Sequence, residues 1–329
     1  MGFQPIQEQP DFGWFADHAV FRQAQELLRQ YLPVTRLVLA SSLSTESRKV
    51  YLKLETEMPT GSFKVRGALW TMSVAVRREH IKEVVTSSTG NHGAAVAYAA
   101  RLLGLTATIF LPRGSNQQKR QIITGLGASM VEDGLDLTEA AASAAGYARA
   151  SGAFLLSDAT DPFLPVGPGT IACEVLDQLP EVDAIYVPVG DTALIRGIGT
   201  AARQLSPKIK IVGVQAATAP AYYLSWKQGR AVGTESCDTI ADGLATRSPE
   251  TANVSAICQI VSDMRLVTED EMLRAIRHLL LHEHLVAEPA GAATTAALLQ
   301  SSDRMVGNCV LVVSGANVSA GVLQRAVAS

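Results

Sequence analysis

The sequence predicts an α/β protein of two open, mostly parallel twisted sheets with helices on both faces. Short apolar, β-rich runs alternate with helix-period segments along the chain, and glycine-containing loops follow several of those runs. The scale agrees: 329 residues at 47% hydrophobic can bury one large core or two moderate ones.

The elements follow in order. A helix is predicted in "FADHAVFRQAQELLRQYL", stopped near Pro33, and a strand in "RKVYLKLET". The next helix starts at Lys64, with Thr60 and Ser62 available as caps and an apolar face of Val65, Ala68, Leu69 and Met72. A compact β/α set comes next. "EVVTSS" precedes a helix in "NHGAAVAYAARLLG" closed by Gly104, "TATIFLP" precedes "SNQQKRQIITGLG", "ASMVED" precedes "DLTEAAASAAGYARASG", and "AFLLSD" ends the set. A second set runs through the helix "GTIACEVLDQL", then "AIYVPV", "ALIRGIGTAARQL" and "IKIVGVQ". It continues with paired strands around "QIVSD" and "RLVTE", the helix "EDEMLRAIRHLLLHEHL" and "CVLVVSG". This pattern predicts a large domain of residues 1–81 plus 160–329, with a small domain, 82–159, inserted in it.

Composition excludes several partner classes. Net charge is −3 and no Lys/Arg cluster is dense enough for a nucleic-acid face, so neither nucleic acid nor anionic membrane is expected. Cys173, Cys237, Cys258 and Cys309 show neither metal-ligand spacing nor a disulfide framework. The N-terminal "MGFQPIQEQPDFGW" is not a secretion signal and no apolar run approaches a membrane span, so a cytoplasmic protein is expected.

Open sheets bind ligands at the carboxyl ends of their strands. Three loops occupy such places: "SSTGNHG" (87–93), "VGDTALIRG" (189–197) and "VSGANVS" (313–319), and together they can line one interdomain crevice. In the second, Gly190 ends a strand and feeds a helix N-terminus, a setting that attracts phosphate. Asp191 stands against that reading. A lysine beside Phe63 and apolar neighbours suits a Schiff-base nucleophile and proton shuttle, although Lys64 taken alone also reads as a surface lysine on an amphipathic helix.

The run "PTGSFKVRGA" resembles the pyridoxal-phosphate lysine motif of the tryptophan synthase β-like superfamily (fold type II), in its serine/threonine dehydratase and serine racemase branch. "SSTGNHG", "GPGTIACEVL", "VPVGDTAL", "TIADGLA", "AEPAGA" and "VVSGANVS" follow in the family's order, from about residue 58 to 319. The resemblance implies pyridoxal 5'-phosphate in the interdomain crevice, linked to Lys64, which later moves the substrate α-proton. Phe63 would pack near the ring and Asn91 would bond the cofactor's phenolic oxygen. Ser314 would face the pyridine nitrogen, while Gly243 and Glu288 would lie near ring and substrate. Gly190, Asp191, Thr192, Ala193 and Leu194 would hold the phosphate. Ser88, Thr89, Asn91 and His92 would contact the substrate. Thr89 would also be catalytic, because a hydroxyl there permits proton delivery on the face opposite the lysine.

Implied activity is an ammonia-lyase (dehydratase) reaction on a β-hydroxy amino acid such as L-serine or L-threonine, giving a 2-oxo acid and ammonia. A serine-type racemase and a non-catalytic amino-acid-binding relative are the alternatives. The family's habit implies a homodimer, and the chain's end soon after "SGANVS" implies no C-terminal regulatory domain. Racemase-branch acidic residues that hold a divalent cation are replaced here by Gln215, Pro220 and Ala221, so no metal is expected; the spacing of His278, His282 and His284 adds none. Where the family has four glycines, this chain has Gly190, Asp191, Thr192 and Ala193. Two readings of Asp191 stay open: a side chain turned outward onto local N–H groups, or a carboxylate near enough to raise the phosphate's second pKa. Substrate selectivity is expected from loops such as "SDATDPFLP".

Overall fold

The computed structural model describes residues 18–88, 90–114, 120, 123–300 and 306–328. Its strands are β1 (Leu37–Leu39), β2 (Arg48–Leu54), β3 (Glu83–Ser87), β4 (Thr106–Leu111), β5 (Ser129–Glu132), β6 (Phe154–Leu155), β7 (Ala184–Pro188), β8 (Lys210–Ala216), β9 (Asp263–Val267) and β10 (Gly307–Val313). They form a six-stranded sheet in the order β1-β2-β10-β7-β8-β9 and a four-stranded sheet in the order β5-β4-β3-β6. Every pairing is parallel except β1 with β2. The two β/α sets of the sequence thus build separate sheets.

Burial explains the pattern. β7 is buried at all its positions, as a continuous apolar strand in a sheet covered on both faces should be. Helix α1 (His18–Leu28) buries Phe21, Ala24, Gln25, Leu27 and Leu28, one face at helical period, against α5 (Val166–Gln178). Helix α2 (Lys64–Glu79) packs on α5 and on α3 (Asn91–Leu103). Gly104, at φ +69°, closes α3 as expected, its N–H bonding the carbonyls of Ala100 and Arg101. Asp136 caps α4 (Leu137–Ser151) by accepting from Glu139 N at 2.9 Å. Helix α6 (Ala193–Leu205) follows β7, and α7 (Ala221–Gln228) follows β8.

Two expectations change. β1 was not foreseen: it is a three-residue antiparallel edge strand with Leu39 exposed, too short to show alternation. "QIVSD" is not a strand, because Gln259 and Ile260 end helix α8 (Thr251–Ile260), whose buried Val254, Ile257 and Ile260 share one face. A single strand, β9, follows, and α9 (Glu269–His282) starts behind it on a Thr268–Glu271 capping box. The helix expected in "SNQQKRQIITGLG" lies largely outside the described residues. Helix α10 (Pro289–Leu299) is buried almost throughout, and α11 (Ala320–Ala328) ends the described chain. No described helix is long and apolar enough to cross a membrane.

A buried ion network anchors the first turn of α2. The Arg66 guanidinium donates to both Glu55 oxygens (2.8 and 2.9 Å), to both Glu174 oxygens (2.7 and 2.9 Å) and to Thr170 Oγ1 (3.0 Å). Lys53 Nζ donates to Glu174 (2.6 Å), Thr35 O (2.8 Å) and Gln178 Oε1 (3.0 Å). Two cations face two carboxylates, and each charged group has several hydrogen bonds, the condition for burying charge at tolerable cost. Burial by itself disfavours the Arg66 cation, but Glu55 and Glu174 outweigh it and hold its pKa above the ordinary value. The same network, with Arg66 foremost, holds Glu174 below the usual carboxylate range against burial.

Candidate active site

The site forms where the ends of three strands, β10, β7 and β3, present their loops. β10 leads directly into Ser314, whose carbonyl accepts from Phe63 N at 3.1 Å. Ala316 N donates to Gly61 O at 2.9 Å, and a bridge joins Ser62 to Gly315. The approach to Lys64 is therefore stitched to the carboxyl end of β10. β7 delivers Gly190 to Thr192 and the N-terminus of α6, while β3 leads to Asn91 at the N-terminus of α3.

These residues line one cavity, formed by Phe63, Lys64, Asn91, Gly190 through Leu194, Gly243, Glu288 and Ser314, with Pro188, Leu244 and Ala290. Every side chain or backbone segment expected at the cofactor is present in it. The expected substrate residues divide. Asn91 faces the cavity, its Nδ2 donating to Glu288 Oε1 (2.8 Å) and Oε2 (3.1 Å). Ser88 accepts from Gly90 N at 3.2 Å and does not line the cavity. His92 is buried behind it, with Nε2 3.4 Å from Leu156 O. Thr89 lies outside the described residues.

Asp191 follows neither expectation in full. Its carboxylate is not turned onto local N–H groups; Oδ1 accepts from Thr246 Oγ1 at 3.0 Å, across 55 residues of sequence. Burial first, then the Asp158 carboxylate, pushes its pKa above the ordinary value, which favours the neutral acid and weakens its repulsion of an anion. Thr192 holds φ +69° without being glycine. Its Oγ1 donates to Asp191 O (2.6 Å) and accepts from Arg196 Nε (3.0 Å), so the strained turn is tied on both sides. Arg196 is buried one turn into α6, its pKa lowered by burial to about 10 and still cationic near neutrality.

Sequence reasoning missed four further residues. Asn317 Nδ2 donates to Thr60 O (2.9 Å) and to Asn91 Oδ1 (2.7 Å), fixing the Asn91 amide so that its NH2 meets Glu288. Thr246 and Arg196 hold the Asp191–Thr192 turn. Asp158, from the loop already marked as a pocket wall, contacts the Lys64 ammonium directly. The apolar setting expected for Lys64 is thus only partial: Phe63 lies on one side, with Nζ 5.3 Å from its ring centroid, and a carboxylate on another.

Against known proteins, residues 28–315 match the family described as pyridoxal-phosphate dependent enzyme. The chain belongs to that family. It is 35% identical to an L-threonine ammonia-lyase of Thermotoga maritima over 305 residues, covering 92% of this chain and 76% of that one. Identity to an L-threonine ammonia-lyase of Geobacter sulfurreducens is 37% over 303 residues, covering 92% and 75%. A maize serine racemase structure superposes with a TM-score of 0.88 at 29% identity, covering 94% of this chain and 96% of that one. Pyridoxal phosphate is the family's cofactor, and the cavity fits it. Lys64 reaches the interior, the N-terminus of the 13-residue α6 presents first-turn N–H groups, and Gly190 lets two backbones close the floor.

That floor yields a test. A Cβ at Gly190 would sit 2.0 Å from Gly243 O, a backbone atom that cannot step aside. Gly190→Ala is expected to cost about 1–3 kcal/mol of stability and to weaken pyridoxal phosphate binding at least roughly tenfold by equilibrium dialysis. Undiminished binding would show that the floor is not the phosphate seat.

Asp161 carries a pH-dependent term in the same loop. Its Oδ1 accepts from Phe163 N (2.8 Å) and Leu164 N (3.0 Å), yet burial outweighs these bonds and pushes the carboxyl from 3.8 up to about 6. A raised folded-state pKa favours the protonated form, so this stability term is complete below the unfolded value and is lost as pH rises through about 6. At pH 7 the penalty is at most about 3 kcal/mol. Asp161→Asn should therefore raise the unfolding midpoint at neutral pH, with the gain shrinking toward pH 4. A gain that does not change with pH would contradict burial as its cause.

Proposed function

We propose that the protein is a pyridoxal-phosphate-dependent ammonia-lyase acting on a small β-hydroxy amino acid, L-serine or L-threonine, to give a 2-oxo acid and ammonia. The observation that carries this is the likeness, over 92% of the chain, to two L-threonine ammonia-lyases, in a chain whose Lys64 opens into the cavity. We further propose that residues 82–159 form the substrate-binding domain on a large domain of residues 1–81 and 160–329. In this reading the protein works as a cytoplasmic homodimer.

Bound pyridoxal phosphate supplies an electron sink for the substrate's α-carbon. The chain's residues supply the rest. Lys64 Nζ would hold the cofactor and would accept the substrate α-proton. Ser314 would offer the ring nitrogen a neutral hydroxyl instead of a carboxylate, which would leave the sink mild and favour loss of a β-substituent. The N-terminus of α6 with Thr192 would receive the phosphate, and the raised pKa of Asp191, due to burial first and then to Asp158, would weaken its repulsion of that anion. The Asn91 amide, held by Asn317, would bond the cofactor's phenolic oxygen. Glu288, whose pKa is raised by burial and by Asp242, lies beside it as the acceptor of the Asn91 amide. In the same reading Thr89 would serve the substrate side, whereas Ser88 and His92 stand outside the cavity.

The reading is tested by incubating holoenzyme with L- and D-β-hydroxy amino acids and assaying both 2-oxo acid and enantiomer. Equal yields of 2-oxo acid and ammonia from L-threonine or L-serine are expected. Appearance of the opposite enantiomer with no oxo acid would replace the lyase by a racemase.

A further inference from the structure

We propose that Asp158 is the counter-charge of Lys64: a positioning residue that aims the lysine nitrogen into the cavity and stabilises the positive charge it gains on taking the substrate α-proton. This rests on the ammonia-lyase reading and adds a residue to it.

The geometry carries the assignment. Asp158 Oδ2 meets Lys64 Nζ in a direct ion pair across 94 residues of sequence, with both side chains largely enclosed. Its other oxygen, Oδ1, has no hydrogen-bond partner among the described residues and lies 3.6 Å from His92 Nδ1, so its strong interaction is with the lysine. The loop that presents Asp158 is tied down. Asp161 N donates to Ser157 O (3.2 Å), Thr160 N to Ser157 Oγ (3.3 Å) and Asn253 Nδ2 to Ala159 O (3.1 Å). A carboxylate held this way needs no rearrangement when charge appears on its partner.

No other acid near the lysine is as well suited. Asp191, on the loop before α6, is engaged by Thr246 and pushed toward the neutral form by burial and by Asp158 itself. Glu288, ahead of α10, is engaged by Asn91 and is likewise raised by burial. His92, on α3, is disfavoured as a cation by burial. Burial would raise Asp158 too, but the Lys64 cation, with lesser help from His92 and from Arg196 on α6, outweighs it and holds Asp158 ionised. The proton balance is simple: the α-proton leaves carbon for Nζ, its bonding electrons go to the cofactor, and the new ammonium stands against a carboxylate already in place.

The test uses holoenzyme of the wild type, Asp158→Asn and Asp158→Glu. In each, borohydride reduction and peptide mapping establish whether cofactor sits on Lys64, and the absorbance of bound cofactor is followed against pH. Removing the negative charge should move the pH of the spectral change down by about one to three units in Asp158→Asn. It should also lower kcat roughly ten- to hundredfold, with KM changed much less. Asp158→Glu, which keeps the charge, should stay near the wild type, and it supplies the test by itself if the Asn variant does not fold. An unchanged spectral titration in Asp158→Asn, or a Glu variant shifted as the Asn variant should be, would overturn the inference while leaving the labelled Lys64 and the lyase reading intact. A wild type carrying no cofactor on Lys64 would overturn both.

Discussion

Lys64→Ala is expected to reduce turnover of L-threonine or L-serine by about four orders of magnitude or more, the loss of a nucleophile and a general base in one substitution. The expectation rests on placement as well as residue type. Lys64 opens α2, its backbone approach is paired to the end of β10, it lines the cavity, and its nitrogen stands between Phe63 and Asp158. Among the residues lining that cavity it is the only amine. Stopped assays of 2-oxo acid, on variant protein reconstituted with excess cofactor, measure the effect. Because Lys64 sits at the start of the helix with its side chain in the pocket, the unfolding midpoint of the cofactor-free variant should change far less than the rate does. Turnover within tenfold of the wild type would remove Lys64 from the chemistry.

Arg66→Ala, two residues on, should show the opposite balance: a stability loss of about 3–5 kcal/mol, a large share of what a domain has. The guanidinium is 1% exposed and makes bidentate pairs with Glu55 and Glu174. Its removal leaves two buried carboxylates to share Lys53, whose bonds go to Glu174 and not to Glu55. Urea unfolding of cofactor-free protein is the measurement. As a control, Arg113→Ala breaks an exposed pair with Asp133 and should leave the midpoint where it is. A small loss for Arg66→Ala would mean that water or Lys53 compensates the pair of glutamates. Since the network fixes the first turn of α2, a variant that does fold should also bind cofactor less well.

How much of this was legible in the sequence depended on whether the signal was local. β7 and its glycine-ended loop, the Gly104 cap and the order of the two β/α sets are local patterns, and they stand in the structure as expected. Motif order brought the cofactor-site residues into one cavity in part because three of the motifs, "SSTGNHG", "VPVGDTAL" and "VVSGANVS", span the carboxyl ends of β3, β7 and β10. What stayed hidden needs pairs distant in sequence. Arg66 sits in the middle of the lysine motif, yet a long charged side chain defaults to the surface, and nothing nearby announces Glu174, 108 residues later. Asp158 was visible only as part of a polar loop, since its partner is 94 residues away. Asp191 looked like an error in a phosphate site because its Thr246 partner and the Asp158 charge, both set by the fold, were missing from view. The false strand in "QIVSD" had a different cause: a short apolar run at a helix end cannot be told from a strand by period alone.

The most direct measurement of the central claim is borohydride reduction of purified holoenzyme, followed by digestion and mass mapping of the modified peptide. The account predicts a phosphopyridoxyl group on the peptide that contains Lys64, in stoichiometric amount, with conversion of L-threonine or L-serine lost in the reduced sample. A label on another lysine, or full conversion by protein in which no lysine is labelled, would contradict it.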